Sequence, residues 1–468
     1  MNSARRDRNV MTAALRGLDR RLRSIAYDIL CCRDGLSGWR AKRNEFRETV
    51  RKDPEQLRRD VERKLRNILV HAHETSPYYR STWTALGLNP VTDFTFEDLT
   101  RYPFLTKEII GLHKTSLVSE RFPRGKLDLS YTGGTTGTHT SFYRNHECTV
   151  SRFGRQWGIL ECCGYRPGMR RALVWGVHAD LAEEPVHPSL KYRFREFGSA
   201  QETLPCTVIR DKAMLAYHAR LKRFDPEVLY GYPNAIVELG EFIHRMGLSP
   251  VRVRKILTTA ERLTDAQRKL LELRFGGEVI NLYCTREYGS VGFECERHDG
   301  FHVDTESVFI EIICDGRRVQ PGESGEITIT DLLNYGMPLI RSRTGDRGLL
   351  STEPCPCGSP LPLLKGLDGR VTDLIYRRDG SVVAGVMLVD LFMEIPTIER
   401  AQFVQERIGE MEINLVVTTD FSNEQEQLAL REVRDLVGSD MTVHIRRVPD
   451  IARNPRSGKF QEVICKVA

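Results

Sequence analysis

Tyr131-Thr132-Gly133-Gly134-Thr135-Thr136-Gly137-Thr138 puts three glycines and four threonines into eight residues, with no bulky apolar side chain after the tyrosine. Such a stretch adds nothing to a core. Glycine lets backbone amides approach a ligand closely, and threonine hydroxyls donate to anionic oxygens. Together they suit a polyphosphate cradle, although an ordinary polar loop has the same composition. No Gly-Lys-Ser/Thr closes the segment, so a phosphate-neutralising lysine must come from elsewhere in the chain. A second group has metal chemistry. Two residues separate Cys295 from His298, His302 follows, and Cys355 and Cys357 frame a proline. Four such soft or borderline ligands make a closed, structural zinc site, with either histidine completing it. Reduced cysteines and histidines without metal would read the same way.

The elements that must position these residues follow from periodicity. Residues 1–70 read as helix, with Leu57, Val61, Leu65, Ile68 and Leu69 at helical spacing. Within them, Met11 to Leu30 is basic and amphipathic. It reads either as a surface helix packed on the body or as a helix touching a membrane or partner. The threonine-glycine loop lies between two strand-like flanks, 127–130 and 141–144. From 150 to 260 and just beyond, helices alternate with short apolar strands at 171–175, 228–232, 255–259 and 279–283. That alternation predicts a buried, largely parallel α/β layer. Ligands in such layers sit beyond the C-terminal strand ends, here Tyr230 to Asn234, Thr259-Ala260-Glu261, and Tyr283 to Glu287. After 300 the texture becomes antiparallel, at 308–313 and 326–330. A small α+β unit follows from about 370, with a hairpin at 374–383, strands at 413–417 and 441–445, and a helix at 423–437.

Bulk properties narrow the class. At 468 residues with 40% hydrophobic and 28% charged content, the chain is a multi-unit globular protein. A net charge of +6, spread along the chain, argues against a dedicated nucleic-acid binder. No apolar run reaches the roughly 20 residues that span a bilayer. Residues 1–23 are basic without a continuous apolar stretch, so they do not read as a secretory signal. Twelve cysteines in that setting point to reduced thiols or a metal site in the cytoplasm.

Taken in order, the loops resemble the motifs of the adenylate-forming superfamily. Thr132 to Gly137 resembles its phosphate loop. Thr259-Ala260-Glu261 resembles its adenine-side segment. In Tyr283 to Glu287 the resemblance implies a tyrosine that stacks on adenine and a glutamate that holds magnesium. Arg343-Thr344-Gly345-Asp346 resembles the segment whose aspartate binds the ribose. Gly369-Arg370-Val371-Thr372-Asp373 resembles the interdomain hinge, and Pro455 to Lys459 the C-terminal lysine loop. Within the superfamily the chain is most similar to the phenylacetate–coenzyme A ligase group, in the branch associated with capsule and exopolysaccharide biosynthesis. Ser76-Pro77-Tyr78-Tyr79-Arg80 and Arg286-Glu287 carry that narrower likeness. Departures are Cys284 in place of a usual glycine, Thr138-His139 in place of Lys-Pro, and Thr372 at the hinge.

The resemblance implies an α/β fold: a helical segment over 1–75, a large adenylation domain of layered sheets and helices over 76–368, and a small mobile α+β domain over 369–468. It implies ATP-dependent activation of a carboxylic acid through an acyl-adenylate, release of pyrophosphate, and transfer to coenzyme A. Transfer to an amine, hydroxyl or carrier thiol is the alternative; a non-catalytic nucleotide-binding protein is a rival of another class. Lys459, Glu287 and Arg286 are then catalytic, and Thr132 to Gly137, Ala260, Glu261, Tyr283, Asp346 and Arg370 hold the nucleotide. Trp175, Tyr230, Tyr232, Asn234 and Tyr288 are the candidate acid-binding residues, although the aromatic ones also read as core packing. Relatives carry a Gly-aromatic-His pattern, which selects His302 over His298 to join Cys295, Cys355 and Cys357 around zinc. The expected partners are the acid, ATP and an acyl acceptor, with no nucleic acid and no transmembrane segment. A homodimer is left open.

Overall fold

The computed structural model describes residues 19–91, 97–131, 141–175, 197–206, 211–367, 397–452 and 461–467, together with 374–379, 382–384, 388, 391–392 and 395. The expected phosphate loop, Arg370 and Lys459 lie outside these residues.

The helical start resolves into α1 (residues 19–33), α2 (Trp39–Thr49) and α3 (Pro54–Thr75). Gly35 and Gly38, at φ 79° and 88°, break the first from the second. The Asp53 side chain caps α3 by accepting from the Gln56 amide. At its other end Ser76 is held extended by the proline that follows it. Helices α4 (Pro77–Ala85) and α5 (Lys107–Leu112) come next. The apolar faces of α2 and α3 enter the main core through Trp39, Phe46, Leu65 and Ile68, alongside Tyr230, Leu257 and Ile280.

Strands β1 (Leu127–Tyr131) and β2 (Ser141–Asn145), the two flanks of the threonine-glycine segment, pair antiparallel. Helix α6 (His146–Cys162) leads to β3 (Arg171–Trp175), β4 (Gln201–Pro205), α7 (Asp211–Phe224), β5 (Val228–Gly231), α8 (Pro233–Arg245), β6 (Lys255–Thr259), α9 (Asp265–Phe275) and β7 (Glu278–Thr285). Strands β4, β3, β5, β6 and β7 are parallel neighbours in that order. Helices α8 and α9 cover one side of this layer. The second core forms there from Ile236, Leu239, Leu271 and Phe275 against Leu229, Ile256 and Val279. Gly231 is obligatory in that layer, because a Cβ would sit 2.1 Å from the Val174 carbonyl oxygen on the adjacent strand.

Beyond β7 the same sheet turns antiparallel instead of giving way to a separate one. Strands β8 (Gly289–Phe293), β9 (Phe301–Val303), β10 (Val308–Cys314), β11 (Arg317–Arg318), β12 (Gly325–Asp331), β13 (Ser342–Leu350) and β14 (Leu363–Lys365) complete twelve strands in the order β11-β10-β12-β13-β14-β9-β8-β7-β6-β5-β3-β4. Val308, Ile310, Ile312, Ile327 and Ile329 on β10 and β12 join the main core.

A separate C-terminal domain has its own core of Ile375, Phe392, Phe403, Ile413, Val433, Val443 and Val463. It contains the hairpin β15 (Leu374–Tyr376) and β16 (Val382–Ala384). A second sheet, ordered β19-β18-β17-β20, uses β17 (Ile398–Arg407), β18 (Glu410–Val417), β19 (Thr442–Arg447) and β20 (Val463–Cys465). Helix α10 (Asn423–Val437) starts at a capping box between Ser422 and Gln425. Among the described residues no helix is long and apolar enough to cross a membrane.

Candidate functional site

The parallel strands end in step. Val174, Gly231 and Thr258 are paired neighbours, and Thr259 pairs with Leu282. The segments that follow therefore emerge along one edge, where a parallel layer binds ligands. Ala260, just past β6, takes a left-handed φ of 69°. A non-glycine residue at such an angle marks local constraint, which concentrates at ligand sites. Beside it Glu261 accepts from the Asn234 side chain at 3.1 Å and the Asn234 backbone amide at 3.4 Å. The Asn234 oxygen in turn accepts from Gln267 at 2.7 Å. Gln267 was not among the expected residues. Its signal was the Thr264-x-x-Gln267 capping box that starts α9.

Tyr283 and Asp346 come together across 63 residues of chain: the phenol donates to the Asp346 carboxylate at 2.7 Å. Their strands, β7 and β13, stand four places apart in the sheet order. A flat sheet would separate them by about 19 Å, at about 4.8 Å per strand. The contact therefore requires the sheet to curl over this edge. Gly345, at φ 80°, turns the chain, and Asp346 donates its backbone amide to the Thr344 hydroxyl. Partial burial, followed by the neighbouring carboxylate, pushes the Tyr283 phenol well above its ordinary value, so it stays a donor.

Arg286 is exposed and Glu287 half-buried at the same edge, next to buried Tyr288. Burial, then the Glu287 charge, raises the Tyr288 phenol, and its backbone amide donates to Thr285 at 3.0 Å. Arg152 of α6, unremarked in the sequence, is buried, pairs with Asp331 and packs beside Gly289. The five candidate acid-binding residues do not share one face. Tyr230 and Tyr288 belong to the main core and Tyr232 to the second. Trp175 stands between, with ring centroids 4.6 Å from Tyr232 and 6.2 Å from Tyr230.

The candidate metal ligands converge. The β9–β14 register, in which His302 faces Leu363, brings the two ligand-bearing segments together. The ligand atoms of Cys295, His302, Cys355 and Cys357 all lie within 4.8 Å of one another. The Cys295 and Cys355 sulfurs are 3.7 Å apart, and Cys357 Sγ is 3.3 Å from His302 Nε2. A tetrahedral zinc with Zn–S bonds of about 2.3 Å sets its sulfur ligands about 3.8 Å apart, so the arrangement fits that ion. Burial lowers His302, keeping the imidazole neutral as a ligand must be. His298 faces elsewhere, with Nδ1 3.2 Å from Arg268 and 3.4 Å from Glu294.

Comparison with known proteins first defines the class. A 2-hydroxyisobutyryl-CoA ligase in the postadenylation state, in complex with R3-HIB-AMP, matches 89% of this chain and 91% of its own at a TM-score of 0.72 and 19% identity. The fold is that of an adenylate-forming ligase. Sequence then narrows it. The phenylacetate-coenzyme A ligase of Thermus thermophilus is 27% identical over 84% of this chain and 88% of its own length. Protein CapK of Staphylococcus aureus is 25% identical over 78% of this chain and 80% of its own. Residues 375–466 match the CapK C-terminal domain family. The chain is thus a homologue of the phenylacetate-coenzyme A ligases and CapK, with the fold of an adenylate-forming ligase.

Proposed function

We propose that this chain is an ATP-dependent acid–thiol ligase that makes an acyl-adenylate, releases pyrophosphate, and passes the acyl group to coenzyme A. The observation that carries the reading is the Tyr283–Asp346 hydrogen bond. It joins the adenine-side tyrosine and the ribose-side aspartate at the edge where the parallel strands end. Similarity to phenylacetate-coenzyme A ligases over most of both chains supports the same activity.

In the first step a carboxylate oxygen attacks the α-phosphorus of ATP and pyrophosphate leaves. An anion then approaches a polyanion, so donors and positive charge must surround that phosphorus. The amides and hydroxyls of Thr132 to Gly137 and the ammonium of Lys459 supply them. Arg286 is the further cation at this edge. Glu287, a single half-buried carboxylate, suits magnesium, which is bound through one or two carboxylates together with substrate phosphates. Glu261, fixed by Asn234, and Ala260 line the adenine side, and Arg370 serves the hinge. Trp175, Tyr230, Asn234 and Tyr288 contact the acid, with Tyr232 backing Trp175. In the second step the thiol sulfur attacks the acyl carbon and AMP leaves. Zinc on Cys295, His302, Cys355 and Cys357 is structural: it ties the segment after β8 to the turn before β14. The protein works in the cytoplasm.

A panel of carboxylic acids, scored for acid-dependent pyrophosphate release with and without coenzyme A, tests the reading. Release that proceeds through AMP but never yields a thioester would move the acceptor to an amine or hydroxyl. A relative of that kind exists: an indoleacetate–lysine synthetase of Pseudomonas savastanoi is 24% identical over 57% of this chain.

A further inference from the structure

A cleft of about 610 Å³ opens beside α3, and none of its lining residues belongs to the proposed nucleotide or acid sites. Small-molecule sites run from roughly 300 to 1,000 Å³. One face of α3 forms one side of the cleft, through Arg66, Val70, His71 and Glu74. Asn145 and Glu147, where β2 passes into α6, form another, and Phe122 and Tyr335 complete the walls.

The floor is buried and polar: His71 is 6% exposed and Asn145 5%. His71 sets Nε2 2.8 Å from the Tyr335 carbonyl oxygen, so Nε2 carries the proton and Nδ1 is an acceptor. Burial lowers this histidine and keeps it neutral. The Asn145 side-chain oxygen accepts from the Gly336 amide at 3.2 Å, which leaves the side-chain nitrogen as a donor. Among the described residues, neither His71 Nδ1 nor that nitrogen has a partner. A hydroxyl reaching the floor would satisfy both, donating to one and accepting from the other.

Above the floor the surface is aromatic. Half-buried Phe122 and Tyr335 set their ring centroids 6.4 and 4.9 Å from the His71 imidazole. With Val70 they offer apolar area to a flat ring. The rim is charged and exposed. Arg121 and Glu74 neutralise each other at 2.9 Å. Arg66 donates to the Val91 carbonyl at 3.3 Å and, among the described residues, has no carboxylate partner. Glu147 has no cationic partner among them either. Burial, then the Glu147 charge, raises the Tyr335 phenol, so that carboxylate borders the aromatic wall.

We propose that this cleft binds a free α-amino acid with a hydroxylated aromatic side chain. Glu147 takes the ammonium and Arg66 the carboxylate. The ring lies along Phe122 and Tyr335, and the phenol meets His71 Nδ1 and the Asn145 amide. A ligand of one charge leaves one rim group unused, and a plain ring leaves the floor unpaired.

Calorimetric titration of the full chain with tyrosine, in the absence of ATP, tests this. Tyrosine is expected to bind one per chain. Phenylalanine, tyramine and 3-(4-hydroxyphenyl)propionate each lack one of the three recognised groups, and each should bind at least about tenfold more weakly. Glu147→Gln and Arg66→Ala should weaken tyrosine by a similar factor and melt like the wild type, since both side chains are exposed. The ligand series needs no variant to fold. No binding of tyrosine overturns the proposal, as does tyrosine binding that neither substitution changes. Equal affinity for tyrosine and 3-(4-hydroxyphenyl)propionate overturns it too, and would make the ligand a plain aromatic acid.

Discussion

Replacing Tyr283 with phenylalanine isolates the contact on which the proposed nucleotide site rests. Tyr283→Phe keeps the ring proposed for the adenine side and removes only the oxygen that donates to Asp346 at 2.7 Å. A hydrogen bond to a charged group nets about 1.5–3 kcal/mol, and about 1.4 kcal/mol is a factor of ten in an equilibrium constant. If that bond holds the Asp346 carboxylate in place for the ribose, nucleotide affinity should fall roughly 10- to 100-fold. Thr344 still accepts the Asp346 amide at 3.0 Å, so the backbone turn should survive and the loss should come from the carboxylate alone. The assay is calorimetric titration with AMP and a non-hydrolysable ATP analogue, which needs no knowledge of the acid. Asp346→Asn should weaken binding as well, and combining the two should cost little more than the worse of them, because they remove one shared interaction. A Tyr283→Phe protein that melts like the wild type and binds nucleotide within about twofold of it would refute the reasoning, leaving the bond as a structural tie between distant strands.

Three further outcomes are expected. Purified without a histidine tag, the protein should carry one zinc per chain. Cys357→Ser should lose it and melt at a lower temperature, whereas His298→Ala should retain it; equal metal in all three excludes the site. Lys459→Ala should abolish adenylate formation and largely spare thiol transfer from a supplied acyl-adenylate, while equal loss in both steps would remove the lysine from its assigned role. Burial raises the Glu306 carboxyl, but Lys64 and then Lys52 outweigh it and hold the group at about 2 against an ordinary 4.5. Its contribution is therefore full above pH 4.5 and fades as pH falls through about 2. Glu306→Gln, which strands Lys64, should cost about 3–5 kcal/mol in urea unfolding near neutrality, and the gap should narrow steadily toward pH 2.

Elements with unambiguous local signals were legible in the sequence. Strand Lys255–Thr259 has four buried apolar or small residues in a row, and helices Asp265–Phe275 and Asn423–Val437 each begin at a capping box. Strands β4 and β13 were not legible. Gln201–Pro205 is mostly half-buried, and Ser342–Leu350 is largely polar, so neither shows an apolar run. The union of parallel and antiparallel strands in one sheet was hidden too, because strand order depends on long-range pairing that spacing does not report. The same holds for the site. Motif order pointed to Tyr283 and Asp346 separately, but only the curl of the sheet makes them touch. The four candidate metal ligands could be grouped by type, and the β9–β14 register explains why His302, rather than His298, faces the cysteines. The candidate acid-binding set, Trp175, Tyr230, Tyr232, Asn234 and Tyr288, read equally as pocket lining and, for its aromatic members, as core packing, because composition does not separate the two. Tyr232 falls in the second core, the packing reading, because it opens α8 beyond the strand end.

The most direct test of acyl-adenylate chemistry is to incubate the protein with ATP, magnesium and a panel of carboxylic acids without coenzyme A and analyse the products by mass spectrometry. The expected result, for at least one acid, is an enzyme-bound acyl-AMP with pyrophosphate released, converted to AMP and a thioester when coenzyme A is added. Nucleotide binding with no acid-dependent pyrophosphate from any acid, or cleavage of ATP to ADP and phosphate, would contradict it.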